Sequence, residues 1–324
     1  MIKSLILKRT FLLTGATGFV GSCLLRRLVE KGARPHIIIR RDARLWRIKD
    51  VLPKVYCHVV DLSNDSRLMR VVRKVKPDVI YHLAANGAYS SQNDPDRIIT
   101  TNILGGWNLI KACAAVDYEL FVNTGTSSEY GFKSKPMKET DALEPASYYA
   151  ATKCAMSWLC SQQAREGRPV VSLRLFSAYG PYEEPTRLIP TLMAALYHGK
   201  PMDLVPAATA RDFIYIDDVV DAFLKINALK KAAGHVFNIG TGRQTTLRQL
   251  VDAAVKASGR TTEFRWGKMP SKTWDTSCWV ANIVRARKVL GWASRVDLHA
   301  GLKKTWDWYC GHHEIYRASG ILPK

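Results

Sequence analysis

No apolar run in this sequence approaches the ~20 residues that a membrane-spanning helix needs, and no cysteines stand as CxxC or cluster with histidines at metal-ligand spacing. The seven cysteines (23, 57, 113, 154, 160, 278 and 310) are scattered through mostly apolar stretches, the pattern of free thiols in a reducing cytoplasm. No metal site is expected. Internal repeats and low-complexity tracts are missing, and no small-residue cleavage site follows the charged start, so residues 1–9 read as a short leader to a first strand. Acid is scarce, with 28 Asp and Glu against 48 Lys and Arg, a formal charge of +20. The excess is dispersed in short pieces such as Arg40-Arg41 and Lys230-Lys231, with no long basic arm and no aromatic-interleaved motif. That argues for a solvated basic surface and against a dedicated nucleic-acid partner.

What is present is a chain of 324 residues, 47% of them apolar, enough for one large core or two modest ones. FLLTGATGFVGSCLLRRLVEKG, 11–32, reads as a strand, a glycine turn and an amphipathic helix, which together offer backbone N–H groups and a helix N-terminus to a pyrophosphate. Gly15 permits the tight turn, Gly18 lets phosphates approach, and Gly21 lets helix and strand pack closely. Thr17, Phe19 and Val20 complete the candidate cofactor loop. The next strand, HIIIR, ends in Arg40 and Arg41 where an NAD site usually places an acid. Guanidinium groups there suit a 2′-phosphate, so NADP(H) is favoured over NAD(H), with a plain basic surface as the alternative reading. A short helix is expected around Trp46. The strand VYCHVVDL then brings Asp61 and Leu62 to its C-terminal end, where Asp61 serves either the adenine amino group or a strand-ending turn.

A polar helix over 65–76 stops before Pro77, and DVIYHLAA reads as a strand buried on both faces. Leu83, Ala84 and Ala85 at its end are candidate cofactor contacts, as is Asn102 in the long helix that follows. A fifth strand, YELFVNTG, leads into TSSEYG (126–131) and SYYAATK (147–153). Tyr149 and Lys153, four apart, share one helix face. An ammonium beside a phenol lowers the tyrosine pKa towards working pH, making Tyr149 a candidate general acid or base. PVVSLRLF forms a sixth strand with Phe176, a candidate cofactor contact, and Ser177 at its end. The alternation predicts an α/β fold, a Rossmann-type doubly wound parallel sheet over 1–178. A smaller, discontinuous C-terminal substrate lobe spans 179–324, and a strand near 237–240 returns towards the core.

TGATGFVG, HLAA, TSSEYG, YYAATK, RLFSAYGP, RDFIYIDD and NIGTG, in that order, resemble the extended short-chain dehydrogenase/reductase family, in its nucleotide-sugar epimerase, dehydratase and reductase branch. The resemblance implies that Thr126 holds the sugar C4 oxygen, with Ser127 or Ser128 able to substitute. It makes Tyr149 the proton shuttle and Lys153 the ligand of the nicotinamide ribose. Arg211 corresponds to a diphosphate contact. Lys272 and Asp275 stand where the branch has an arginine and an acid against the substrate, and Ser177 stands where it usually has asparagine. Asp212 reads as a loop buttress, and Asp217 as a helix N-cap. Dehydratases of the branch carry an acid where this chain has Ser128, which removes that reaction. What remains is redox at C4 of a nucleotide-diphosphate hexose. An NADPH-dependent 4-keto-6-deoxyhexose reductase, similar to abequose or paratose synthase, is favoured, a 4-epimerase is the alternative, and a cofactor-binding regulatory protein is a third reading. A homodimer through helices around 97–115 and 148–166 is implied by the same resemblance.

Overall fold

Four buried residues, a glycine turn and a helix open the chain in the computed structural model, which describes residues 6–269 and 278–318. Strand β1 (Phe11–Thr14) is buried at every position, and α1 (Phe19–Glu30) turns Leu24, Leu25 and Leu28 into the core. Then come β2 (His36–Ile39) and β3 (Tyr56–Val59). The helix expected around Trp46 is instead a run of turns closed by a single 3-10 turn over Leu52–Lys54, where Pro53 supplies no backbone donor. Helix α2 (Asp65–Val75) begins under an Asn64 side-chain cap and ends with Lys76 in the left-handed region at φ 48°, directly before Pro77.

Strand β4 (Val79–His82) is fully buried, and the long helix after it comes in pieces: α3 (Pro95–Ile99), a π turn over Thr100–Leu104, and α4 (Gly105–Ala114). Strand β5 (Leu120–Thr126), α5 (Tyr148–Arg165) and β6 (Val170–Leu175) finish the first alternation. Short elements follow: β7 (Ser177–Tyr179), α6 (Leu188–His198), β8 (Met202–Leu204), β9 (Ala210–Arg211), β10 (Phe213–Tyr215), α7 (Ile216–Phe223) and α8 (Ile226–Lys231). The chain then makes β11 (Val236–Ile239), β12 (Thr245–Thr246), α9 (Leu247–Ser258), β13 (Phe264–Trp266), α10 (Val284–Leu290) and α11 (Leu298–Ala318).

Seven parallel strands form one sheet in the order β11-β6-β5-β4-β1-β2-β3. The order reverses between β1 and β4, which places the crevice of a doubly wound sheet at their C-terminal ends. The edge strand β11 pairs with β6 after the chain has left the sheet for some sixty residues, with Ile239 opposite Leu175. Apolar side chains on the two faces make two large clusters. One runs from β1 and α1 through α6, α7 and α11, and the other lies under α2, α4 and α5. A third, around Tyr130, Met137, Phe176, Trp279, Ala281 and Ile283, joins the sheet's C-terminal edge to the smaller lobe. Among the described residues no helix is long and apolar enough to cross a membrane.

Candidate active site

The cofactor loop is built by sterics. Gly15 has φ +72°, and a Cβ there would fall on the backbone of Leu83 and Ala84, so the turn after β1 lies directly on the end of β4. A Cβ on Gly21 would collide with the Gly15 carbonyl, which fixes α1 against that turn and not, as expected, against a strand. Gly18 differs: its φ is −79°, and the nearest atom to an added Cβ is the Gly15 oxygen at 3.3 Å, leaving space on the side where a phosphate would approach. As N-cap of α1 it offers no side-chain cap, and the first turn holds no acid, so N–H groups of Phe19 and Val20 stand in an anion-accepting frame. This cradle fits a dinucleotide pyrophosphate. Arg47, a residue the sequence did not single out, is buried and donates to the Thr17 carbonyl at 3.3 Å and the Tyr182 carbonyl at 2.7 Å while pairing with Glu184 at 2.8 Å. It thereby clamps the cofactor loop to the turn after β7.

Around the adenine end, Asp61 is exposed at the end of β3 and accepts the Ser63 N–H (2.9 Å) and hydroxyl (2.8 Å), the turn-forming role. Partial burial opposes it, but those bonds and the charges of Arg40 and Arg97 hold its carboxyl below the usual range. Leu62 is buried against Gly105, and its carbonyl accepts from Asn108 at 3.0 Å. Arg40 is partly buried with Asp42 3.5 Å away, while Arg41 is exposed. Leu83, Ala84 and Ala85 are partly exposed beside Gly15. Asn102 sits buried in the π turn, accepts the Asn86 N–H at 2.7 Å and donates to the Asn86 carbonyl and the Thr152 hydroxyl, each at 2.9 Å. Its amide holds the loop after β4 against α5. Phe176 is packed into the third core cluster, its N–H bonded to the Ile239 carbonyl.

The catalytic candidates converge at the ends of β5 and α5. Thr126 caps the 3-10 turn Ser127–Glu129, accepting the Ser128 N–H at 3.2 Å, and donates to the Ser128 hydroxyl at 3.3 Å. Ser147 caps α5 through the Ala150 N–H at 3.1 Å, which presents Tyr149 in the first turn. The Thr126 side chain lies close enough to the Tyr149 phenol to pull its pKa down. Lys153, one turn on, is only 3% exposed. The direction of the Tyr149 shift is opposite to the one expected from its lysine neighbour. Burial first, then the charge of Glu129 and the neighbouring Tyr89, push the phenol up to about 12 against the opposing Thr126 side chain and Arg187 charge. Burial likewise holds the Lys153 ammonium below its usual pKa, with Glu129 opposing. Desolvation is the largest influence on both groups at this depth.

Ser127 is buried and accepts a 3.0 Å hydrogen bond from the Trp279 indole, and the Arg211 guanidinium stacks 4.6 Å over that same indole. A residue invisible to sequence reading thus joins Arg211 to the catalytic loop. Ser177 donates its N–H to the Asp212 carbonyl at 3.0 Å. Asp212 is fully buried, its carboxylate accepting the N–H groups of Thr241, Gly242 and Ala281 and the Thr241 hydroxyl. Asp217 lies in the first turn of α7, whose N-cap is Tyr215, and pairs with Arg27 at 2.8 Å, so it does not cap the helix. Lys272 and Asp275 lie outside the described residues. No group of three or more metal-ligating side chains occurs among the described residues.

The sequence profile of the NAD dependent epimerase/dehydratase family matches residues 11–240. The chain belongs to this family. It is 27% identical to the probable UDP-glucuronate 4-epimerase of Rhizobium meliloti over 92% of this chain and 96% of that one. Among solved structures, UDP-glucose 4-epimerase of Thermotoga maritima with UDP-glucose superposes at TM-score 0.86, with 26% identity, covering 94% of this chain and 99% of the other. UDP-glucuronic acid 4-epimerase of Bacillus cereus, in complex with UDP-glucuronic acid and NAD, does so at 0.83 with 28% identity, covering 93% and 99%. As a member of the extended short-chain dehydrogenase/reductase family, the chain is an NAD(P)-dependent enzyme of nucleotide sugars.

Proposed function

We propose that the protein is a nucleotide-sugar 4-epimerase acting on a UDP-hexose or UDP-hexuronate with NAD. The observation that carries this is the Thr126–Tyr149 pair beside a loop with no acid free to attack C5. Ser128 occupies that place, and Glu129 is turned into the core, paired with Arg174 at 2.8 Å. Reduction of a 4-keto-6-deoxy sugar, which the two arginines after β2 had favoured, loses ground because the three relatives named above are 4-epimerases and a solved one carries NAD. Arg40, with its charge already facing Asp42, adds little to NADP selectivity.

Gly15, Gly18 and the N-terminus of α1 would hold the pyrophosphate, and Lys153 the nicotinamide ribose. A bound nicotinamide would supply the acceptor and donor of the C4 hydride. Held as a neutral phenol by burial, Tyr149 must first give up its proton, which the positive charge of a bound oxidised nicotinamide would favour. As phenolate it would then accept the C4 hydroxyl proton as the carbon is oxidised and return it on reduction from the other face. Thr126 holds the C4 oxygen throughout, and the charge that would build up there is never released to solvent. Arg211, flat on Trp279, is the diphosphate ligand in this reading.

Exposed Leu104 and Trp107 on the α3–α4 helix and Trp158 on α5 support a homodimer through these two helices. The function is tested by incubating the protein with UDP-glucose, UDP-glucuronate and their C4 epimers while following both the sugar products and the reduced cofactor. Interconversion without net cofactor consumption is expected. Stoichiometric oxidation of NADPH with a 4-keto-6-deoxy sugar, and no epimerisation, would restore the reductase.

A further inference from the structure

Under the catalytic loop lies a charged pair with no place in the proton transfer itself. Glu129 is 0% exposed and Arg174 4%. Glu129 Oε1 accepts the Thr126 N–H at 2.8 Å, while Oε2 accepts Arg174 Nε at 2.8 Å and the Ser157 hydroxyl of α5 at 2.9 Å. Arg174 Nη1 donates to the Tyr130 hydroxyl at 3.0 Å, which donates to Asn238 Oδ1 of β11 at 2.6 Å. Asn238 Nδ2 passes the chain on to the Met137 carbonyl at 2.8 Å. The site is built around this carboxylate: a Cβ on Gly125 would lie 2.6 Å from Oε1 and 3.0 Å from Arg174 Cγ.

We propose that Glu129 is a positioning residue of the reaction, locking the Thr126 backbone from below and holding a fixed negative charge behind Tyr149 and Lys153. The inference rests on the reading of Thr126, Tyr149 and Lys153 as the epimerisation centre. Two separable effects follow from the geometry. Glu129 completes a reciprocal cap with Thr126, whose side chain accepts from the turn while its own N–H is taken by Glu129. That holds the Thr126 hydroxyl towards Ser128, at the edge of the Tyr149 phenol. The carboxylate charge also reaches α5. It favours the ammonium form of Lys153 and the neutral phenol of Tyr149. Other ionisable groups facing it are Arg174 from β6, Tyr130 from the turn, and Cys154 and Cys160 from α5, whose thiols burial holds neutral. A buried pair of this kind is a costly way to gain stability, since apolar replacements serve as well or better, so its value here lies in what it orients.

Glu129→Gln separates the two effects, because the amide oxygen still accepts from Thr126 while the charge is gone. With that charge removed, Tyr149 and Lys153 both lose protons more easily. Both limbs of the kcat/KM pH profile of the cofactor-loaded enzyme should move down by about 0.5–1 unit. Arg174→Gln leaves the carboxylate unneutralised and should move them up. A purely structural role produces no such opposite displacement. Should either single variant fail to fold on stranding a buried charge, Glu129→Gln with Arg174→Gln removes both, and its limbs should again lie below wild type. A folded, active double or single Glu129 variant with wild-type limbs would overturn the inference while leaving the epimerase reading intact. A wild-type protein without epimerase activity, or a Tyr149→Phe variant as active as wild type, would overturn both.

Discussion

At the scale of the residue, most of the chemistry depends on how deeply a group is buried. Tyr149 and Lys153 are one helical turn apart, as the sequence spacing requires, yet both are shifted towards neutrality because water is excluded from them. Tyr149→Phe should keep the fold and lower kcat by about 10²–10⁴, measured on UDP-sugar interconversion with thermal unfolding as the control. His82 behaves in the same way. Burial and then the Lys153 charge press its imidazole down to about 3, with Nδ1 2.7 Å from the Thr14 hydroxyl. Above an unfolded-state pKa of about 6.5 the histidine is neutral in both states. As pH falls below that, only the unfolded chain takes the proton, so stability is lost progressively towards pH 3. Denaturation at pH 7 and pH 5 should differ by about 2 kcal/mol on this account, and His82→Asn should flatten the dependence. Spacing made the Tyr–Lys pair legible in the sequence; desolvation, which reverses the sign of the tyrosine shift, depends on atoms brought in from β4 and β5.

At the scale of the element, the π turn in the helix between β4 and β5 is the informative irregularity. It turns Asn102 inward, where its amide is used up on Asn86 and Thr152. Asn102→Leu is expected to cost about 1–3 kcal/mol in chemical denaturation and to weaken NAD binding, because it frees the loop that lies on Gly15. Gly15→Ala should be worse, with no folded protein holding the dinucleotide, since the left-handed turn and the β4 backbone both reject a side chain. The glycine spacing announced such a turn in advance. The open side of Gly18 was expected from the spacing; what Gly21 gives way to was not, since it faces the Gly15 carbonyl in place of a strand. In place of the helix expected near Trp46 stands a run of turns, and Arg47 within it became the clamp between cofactor loop and lobe by a contact across 135 residues that no local pattern encodes.

At the scale of the whole molecule, the lobe and the sheet are joined at two buried polar residues, Asn238 in the strand that returns to the sheet and Asp212 between β9 and β10 outside it. Asp212→Ala should strand three N–H groups and a hydroxyl and lower Tm by several degrees, with loss of substrate affinity exceeding loss of NAD affinity. If the two exposed tryptophan-bearing helices pair with a second copy, Trp107→Asp with Trp158→Asp should give a monomer by light scattering. The order of glycine loop, buried strands and YxxxK helix determined the doubly wound sheet and the class of reaction, because those depend on periodicity, turn sterics and side-chain spacing along one chain. Tertiary structure alone decided that Glu129 faces Arg174 in the core and not the sugar, that Trp279 reaches Ser127, and which way each buried group titrates. Those outcomes depend on desolvation and on partners 45 to 152 residues away, and neither is written in any local stretch.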